Sequence, residues 1–483
     1  MSFLQVSLKN TPKSQLIQDK ICYLWYNQTA QYCYDLPTHD TTGAQHDYKS
    51  LILADAAQFA TYETYINTPL ALLWALFVGA WIDRYIRGRK ILMFVSVATA
   101  MLDNILTIFL SLNFKLSVYY NLLTYIPTAL MGGNLASRIA ITHYMTSTTP
   151  PKLMAIRFMI YEMVIFIASP IGTSLGGYIL VQKPLFSQMG ELRNTALCFI
   201  IAAGLELLAL LWIVFMVDES VARKQEIHPL RLLFNFENVK LMVRTCIKKR
   251  PNNGRLQVFL IFLSLIIYFM TFQGTVSLNL QFVEKAYLWG PDYNAYITSI
   301  NMIIKTLATL SIVPFMIKVL KISDIPLALI GYCSYFAYNM IKGTFIMPIA
   351  YYVAMPVSAI SGIASIGCRS HLTKIVGRHE IGKVLSFMQA LDTIAPVIST
   401  TALTYMFRYT MDDYPGIVYQ LISGLILIPI CVMIWIDLFT DRPELDELRH
   451  VYQCLQFFQK QRLSITLISS IFMLLLQSLQ FLN

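Results

Sequence analysis

Eleven runs of about 20 apolar residues, separated by short polar intervals, constrain this chain more than any other feature. They fall near 61–81, 91–112, 119–140, 154–180, 196–216, 258–278, 296–317, 325–340, 346–368, 384–406 and 417–438. Inside a bilayer every backbone N–H and C=O needs an internal partner, so runs of that length are expected to be helices. Composition agrees, because 56% of the 483 residues are hydrophobic and only 13% are charged. A single soluble core could not absorb that much apolar surface. The expected fold class is an all-α polytopic membrane protein.

The polar intervals set the orientation. Residues 218–255 hold Arg223, Lys224, Arg231, Lys240, Arg244, Lys248, Lys249, Arg250 and Arg255 against the acids Asp218, Glu219, Glu226 and Glu237. That interval reads as a cytoplasmic linker between two helical halves, 51–217 and 256–438. The bases within 84–90, Lys318 with Lys321, and those within 374–383 fall on the same side, which places residues 1–50 outside. The net charge of +10 is therefore a topological signal, and no nucleic-acid partner is expected.

Residues 1–50 are polar and lack an apolar stretch of signal-peptide type. They carry the sequon Asn27-Gln28-Thr29, a candidate glycosylation site, between Cys22 and Cys33. These two cysteines share an outside segment and are candidates for a local disulfide. The remaining cysteines show no metal-ligand spacing. Five runs before the linker and six after it make an odd division, so one helix ahead of Met1 is expected to be absent. Residues 439–483 form a cytoplasmic tail in which 463–482 are again apolar. Gln477 and Gln480 leave that segment open between a span and an interfacial helix.

The stretch Gly79-Ala80-Trp81-Ile82-Asp83-Arg84-Tyr85-Ile86-Arg87-Gly88-Arg89-Lys90 joins a small-residue helix end to an acid, then to bases and glycine. It resembles the loop signature of the major facilitator superfamily. Within that superfamily the chain is similar, over residues 20–438, to the proton-coupled folate transporter and thymic stromal cotransporter family. The marks are the outside segment with Cys22, Asn27 and Cys33, the signature itself, Gly132-Gly133, Arg157 and Glu162 ahead of Leu175-Gly176-Gly177-Tyr178, Trp289, and Cys368-Arg369-Ser370-His371-Leu372-Thr373-Lys374. The resemblance implies two six-helix halves, with the first apolar run here as the family's second helix. It also has departures. Ile86 stands where the signature has glycine, so Ile86 and Arg87 look inserted, and Thr146-Ser147 replace an aspartate at the end of helix four.

An ionisable group at bilayer depth costs about 2.5–3.5 kcal/mol on insertion scales, so each needs a partner, water or a proton. Glu162 lies about 12 Å into its helix. The resemblance makes it the proton-coupling carboxylate, with a structural pair to Arg157 as the alternative. Asp392 holds nearly the same place in the pseudo-repeat. Lys305 is the one amine expected deep in a run; either it pairs with Asp392, or it attracts an anion while Asp392 is a second proton site. The resemblance implies that Arg369 is a solute-binding cavity arginine, its planar fork suited to a carboxylate, against a plain positive-inside arginine. Arg138 is expected to pair with Asp83, with Arg84 and Arg157 beside them in a cytoplasmic gate. Asp103 and Glu206 read as structural, Glu63 stays open, and Gly172 and Gly176 form a small face for tight helix packing.

No P-loop, metal-ligand set or nucleophile elbow occurs, so neither an enzyme nor a primary pump is expected, and no cofactor beyond a proton gradient. The expected function is a secondary transporter in the plasma or endolysosomal membrane. It would carry a folate-like or other bulky organic anion with protons by alternating access. Its partners would be that small anionic solute and membrane lipid. A non-transporting membrane scaffold or receptor is the alternative.

Overall fold

A computed structural model describes residues 2–38, 48–84, 88–148, 154–186, 191–217, 236–250, 253–376 and 380–439. The apolar segment 463–482 and the inserted Ile86 and Arg87 lie outside the described residues. In chain order the helices are α1 Ser2–Lys20, α2 Ala30–Asp35, α3 Tyr48–Arg84, α4 Gly88–Leu112, α5 Tyr120–Leu123, α6 Tyr125–Leu130, α7 Gly133–Thr148, α8 Met154–Val181 and α9 Thr195–Met216. After them come α10 Phe236–Ile247, α11 Gly254–Ala286, α12 Pro291–Lys318, α13 Asp324–Thr344, α14 Pro348–Ser358, α15 Ile363–Ile375, α16 Ile381–Thr410 and α17 Ile417–Phe439.

Every expected apolar run falls on one of these helices or on a broken series of them. The run at 119–140 is broken between α6 and α7, where Gly132 has φ +76° and Gly133 φ +51°. Only glycine adopts that backbone without strain, and a Cβ at Gly132 would also stand 2.7 Å from Trp74 Cγ. Among the described residues seven helices are long and apolar enough to cross a membrane. Their outer faces are apolar too: Phe215 is 77% exposed and Leu438 66%, as lipid-facing side chains should be.

The first twenty residues correct the expectation of a polar outside loop. Ser2–Lys20 is helical and packs along α8 and against α9. Gln5, Lys13, Gln15, Gln18, Asp19 and Lys20 are all buried. Hydropathy does not register such a helix, because its polar groups find partners inside the protein instead of facing lipid. The small face on α8 makes the room. A Cβ on Gly172 would lie 2.5 Å from the Leu4 carbonyl oxygen, and one on Gly176 2.1 Å from that of Leu8.

The two halves are packed differently. Helices α11 and α13–α17 share one large apolar core around Tyr332, Tyr351 and Ile422, which also takes in Leu53, Ala54 and Ala57 of α3. The cores of the first half are smaller and separate. The halves meet where α3 lies along α16 and α8 lies along α12.

Candidate functional site

Helices α15 and α16 bring Arg369 and Asp392 together, with Arg369 Nη2 3.6 Å from Asp392 Oδ2. The guanidinium side chain is 41% exposed and the carboxylate side chain 13%. The pair is under-bonded. Arg369 Nε and Asp392 Oδ1 are both buried without a hydrogen-bond partner among the described residues, although an arginine fork and a carboxylate can satisfy each other bidentately. The guanidinium also lies 5.5 Å from the Phe269 ring centre.

Lys305 is not the partner of Asp392, which corrects one of the two expected readings. Its helix α12 packs against α8 and α14, whereas α16 packs against α3 and α11. Its ammonium instead stands 5.3 Å from the centre of the Tyr338 ring. Nor is Lys305 the one deep amine. Lys342, on the same side of that ring system, is 1% exposed. Its Nζ donates to Asn279 Oδ1 at 2.8 Å and to the Tyr419 hydroxyl at 3.0 Å, and it stands 4.2 Å and 4.7 Å from the centres of the Tyr419 and Tyr351 rings. Sequence reasoning missed it because the apolar run was ended at residue 340, while α13 continues to Thr344. The signal was there: Lys342 follows Tyr338 by four residues and shares its face.

In the first half several charges are matched. Lys9 and Lys13 of α1 each donate to Asp103 of α4 at 2.8 Å, and Lys9 also reaches Asn104 Oδ1 at 3.1 Å. Asn104 donates to Glu206 of α9 at 2.8 Å. Asp19 pairs with Arg193 at 3.0 Å. Asp103 thus sits in ion pairs whose unread partners are the lysines of the unforeseen α1, and Glu206 takes its hydrogen bond from Asn104. Glu63 Oε1 of α3 is buried without a hydrogen-bond partner among the described residues, and Lys13 stands 3.5 Å from the centre of the Tyr125 ring.

For the cytoplasmic gate, the side chains of Asp83, Arg84 and Glu162 lie outside the described residues. Arg138 is exposed, with its guanidinium 5.1 Å from the Phe3 ring centre. Arg157 is also exposed and reaches Thr148 Oγ1 at 3.3 Å. On the same side Glu380 accepts from Lys248 at 2.6 Å and from Arg250 at 3.2 Å. The hydrogen bond from Lys248, with Arg250 helping against a smaller cost of burial, holds the Glu380 carboxyl below its ordinary range.

At the opposite end the halves are joined. Gln18 donates to Glu284 at 2.6 Å, Arg408 to Asp55 at 2.8 Å and Ser50 to Asp412 at 2.5 Å, and the Tyr65 and Thr401 hydroxyls are 2.8 Å apart. The contacts named here gather toward this end. It is also the end that carries the Cys22–Cys33 disulfide, which forms as the spacing allowed. Between those cysteines Asn27 is exposed, and the Thr29 hydroxyl caps α2 by accepting from the Tyr32 N–H.

The family model of the Major Facilitator Superfamily matches residues 55–400. The chain belongs to the major facilitator superfamily. It is 21% identical over 406 residues to a Drosophila melanogaster protein described as a probable peptidoglycan muropeptide transporter, SLC46, covering 82% of this chain and 76% of that one. With the Bos taurus proton-coupled folate transporter it shares 21% over 436 residues, 88% of this chain and 89% of that one. With the Gallus gallus lysosomal proton-coupled steroid conjugate and bile acid symporter it shares 23% over 358 residues, 72% of this chain and 73% of that one. Among solved structures, a D-xylose-proton symporter aligns with a TM-score of 0.59 at 15% identity, over 91% of this chain and 98% of that one. The human organic anion transporter MFSD10 aligns at 0.54 and 14%, over 89% and 99%. These structures show the fold. The chain is a multi-pass membrane transporter of the SLC46 type, and not an enzyme.

Proposed function

We propose that this protein is a proton-coupled symporter of a bulky organic anion, with Arg369 and Asp392 as its coupling pair. What carries the reading is the under-bonded contact between them at 3.6 Å. A proton on Asp392 cancels its charge and releases the Arg369 fork to a carboxylate or phosphate on the solute. Loss of the proton restores the pair and expels the anion. Lys305, which has no carboxylate within ion-pair distance among the described residues, adds a second positive charge on α12. Glu162 is the proposed second proton carrier on α8, and Asp83, Arg84, Arg138 and Arg157 the proposed cytoplasmic gate.

The hydrogen bonds that join the halves toward the disulfide-bearing end support the inward-open state of alternating access. The relatives named above favour a folate-like solute, a muropeptide or a conjugated steroid as the anion class, and a plasma or endolysosomal membrane as the location. The test is uptake of each of these solutes against external pH in cells expressing the full chain. Wild type is expected to show acid-stimulated uptake, and Asp392→Asn uptake that no longer responds to pH at equal surface expression. A normal pH response in Asp392→Asn would remove the coupling role. Absence of flux for every solute, at any pH, would return the chain to a scaffold or receptor.

A further inference from the structure

Helix α10 lies in the interval between the halves, beside α16 and α11. One face is fixed inward: Thr245 is 7% exposed and Cys246 1%, and Cys246 belongs to the apolar core of the second half. The other face carries Lys240 and Arg244 four residues apart, and Lys248 follows directly after the helix's last residue, Ile247. Val243 and Ile247 stand between them, and Ile247 is 44% exposed. These five residues line an open groove of about 540 Å³.

Like charges four residues apart destabilise an isolated helix, so this stripe is favourable only where something anionic sits against it. The apolar floor between the bases excludes a purely solvated counterion as the best fit. The place of the groove supplies the rest. The chain enters the membrane-spanning α11 at Gly254, a few residues after Lys248, so the groove lies at headgroup depth on the base-rich side.

We propose that the α10 groove binds the phosphorylated headgroup of an anionic membrane lipid, with Lys240, Arg244 and Lys248 on the phosphates and Val243 and Ile247 against the upper acyl chain. The site touches the transport helices through one residue. Lys248 also donates to Glu380, and Glu380 immediately precedes α16, the helix that carries Asp392. A headgroup that engages Lys248 draws it from Glu380, so lipid occupancy bears on the cytoplasmic end of α16. That consequence rests on the transport reading; the binding does not.

The experiment is native mass spectrometry of the purified full chain with phosphatidylinositol 4,5-bisphosphate, phosphatidylcholine, or the soluble inositol trisphosphate headgroup. Wild type is expected to retain the bisphosphate lipid over phosphatidylcholine. The double variant Lys240→Gln, Arg244→Gln is expected to bind it roughly thirtyfold more weakly, about fivefold for each base removed. The charge-conserving pair Lys240→Arg, Arg244→Lys should bind as wild type, and equal melting temperatures show that the variants are folded. Equal retention by wild type and the double variant, or no preference over phosphatidylcholine, would overturn the proposal. So would free headgroup binding as tight as the lipid. Lipid retention is read without any solute flux, so failure of the transport reading leaves this result standing.

Discussion

The two halves of the bundle differ in how much of their buried charge is paired. In the first half, three bases inside the bundle are set against carboxylate: Asp103 holds Lys9 and Lys13, and Asp19 holds Arg193, while buried Lys20 reaches the Leu116 carbonyl at 3.5 Å. In the second, Lys305 and Lys342 face tyrosine rings and neutral oxygens, with no carboxylate within ion-pair distance among the described residues. Asp392 in the same half is bonded through one oxygen only. Charge matched inside the protein stabilises one packing. Charge left short of a counter-ion is available to a solute, and that asymmetry assigns scaffold work to the first half and anion recognition to the second.

The largest expected effect breaks the matched side. Asp103→Asn leaves two buried lysines facing a neutral amide, and is expected to cost about 3–5 kcal/mol, read as a lower melting temperature and loss of folded protein at the membrane. Little change in melting temperature would mean that the first half does not depend on its pairs.

The second prediction separates the two lysines of the other half. Lys305→Met removes a charge that makes no hydrogen bond with any described residue, so stability should hold or rise while anion uptake falls about tenfold or more. Lys342→Met strands Asn279 Oδ1 and the Tyr419 hydroxyl, and should cost about 1–3 kcal/mol in a thermal melt. Equal loss of stability in both variants would erase the distinction between them.

The smallest effect lies outside the membrane. The fold holds the Glu380 carboxyl below its ordinary pKa, so its contribution is present above the usual carboxylate range and fades as pH falls through the depressed value. Wild type and Glu380→Gln should therefore differ in melting temperature near pH 7, by about 1 kcal/mol or less, and converge in acid. A gap that widens in acid would contradict the assignment.

Much of this was legible in the chain. Runs of membrane length gave the helices, and the sharing of one segment gave the Cys22–Cys33 bond. What sequence could not show is pairing. Ser2–Lys20 reads as a polar loop because lysine, glutamine and aspartate lower its hydropathy, and only the approach of Gly172 and Gly176 reveals a helix seated among partners. Lys342 was lost to a boundary four residues short. Asp392 was assigned to Lys305 as an alternative because charge alone cannot tell which helices touch; α16 reaches Arg369 on α15, and α12 faces elsewhere.

The most direct test of the account measures proton and anion movement together in proteoliposomes holding the full chain. Adding an organic anion the protein transports should start proton influx at once in wild type. In Asp392→Asn, proton influx should stop while the anion still binds. Anion uptake with no accompanying proton, or proton influx unchanged in Asp392→Asn, would contradict the claim that this pair joins the two.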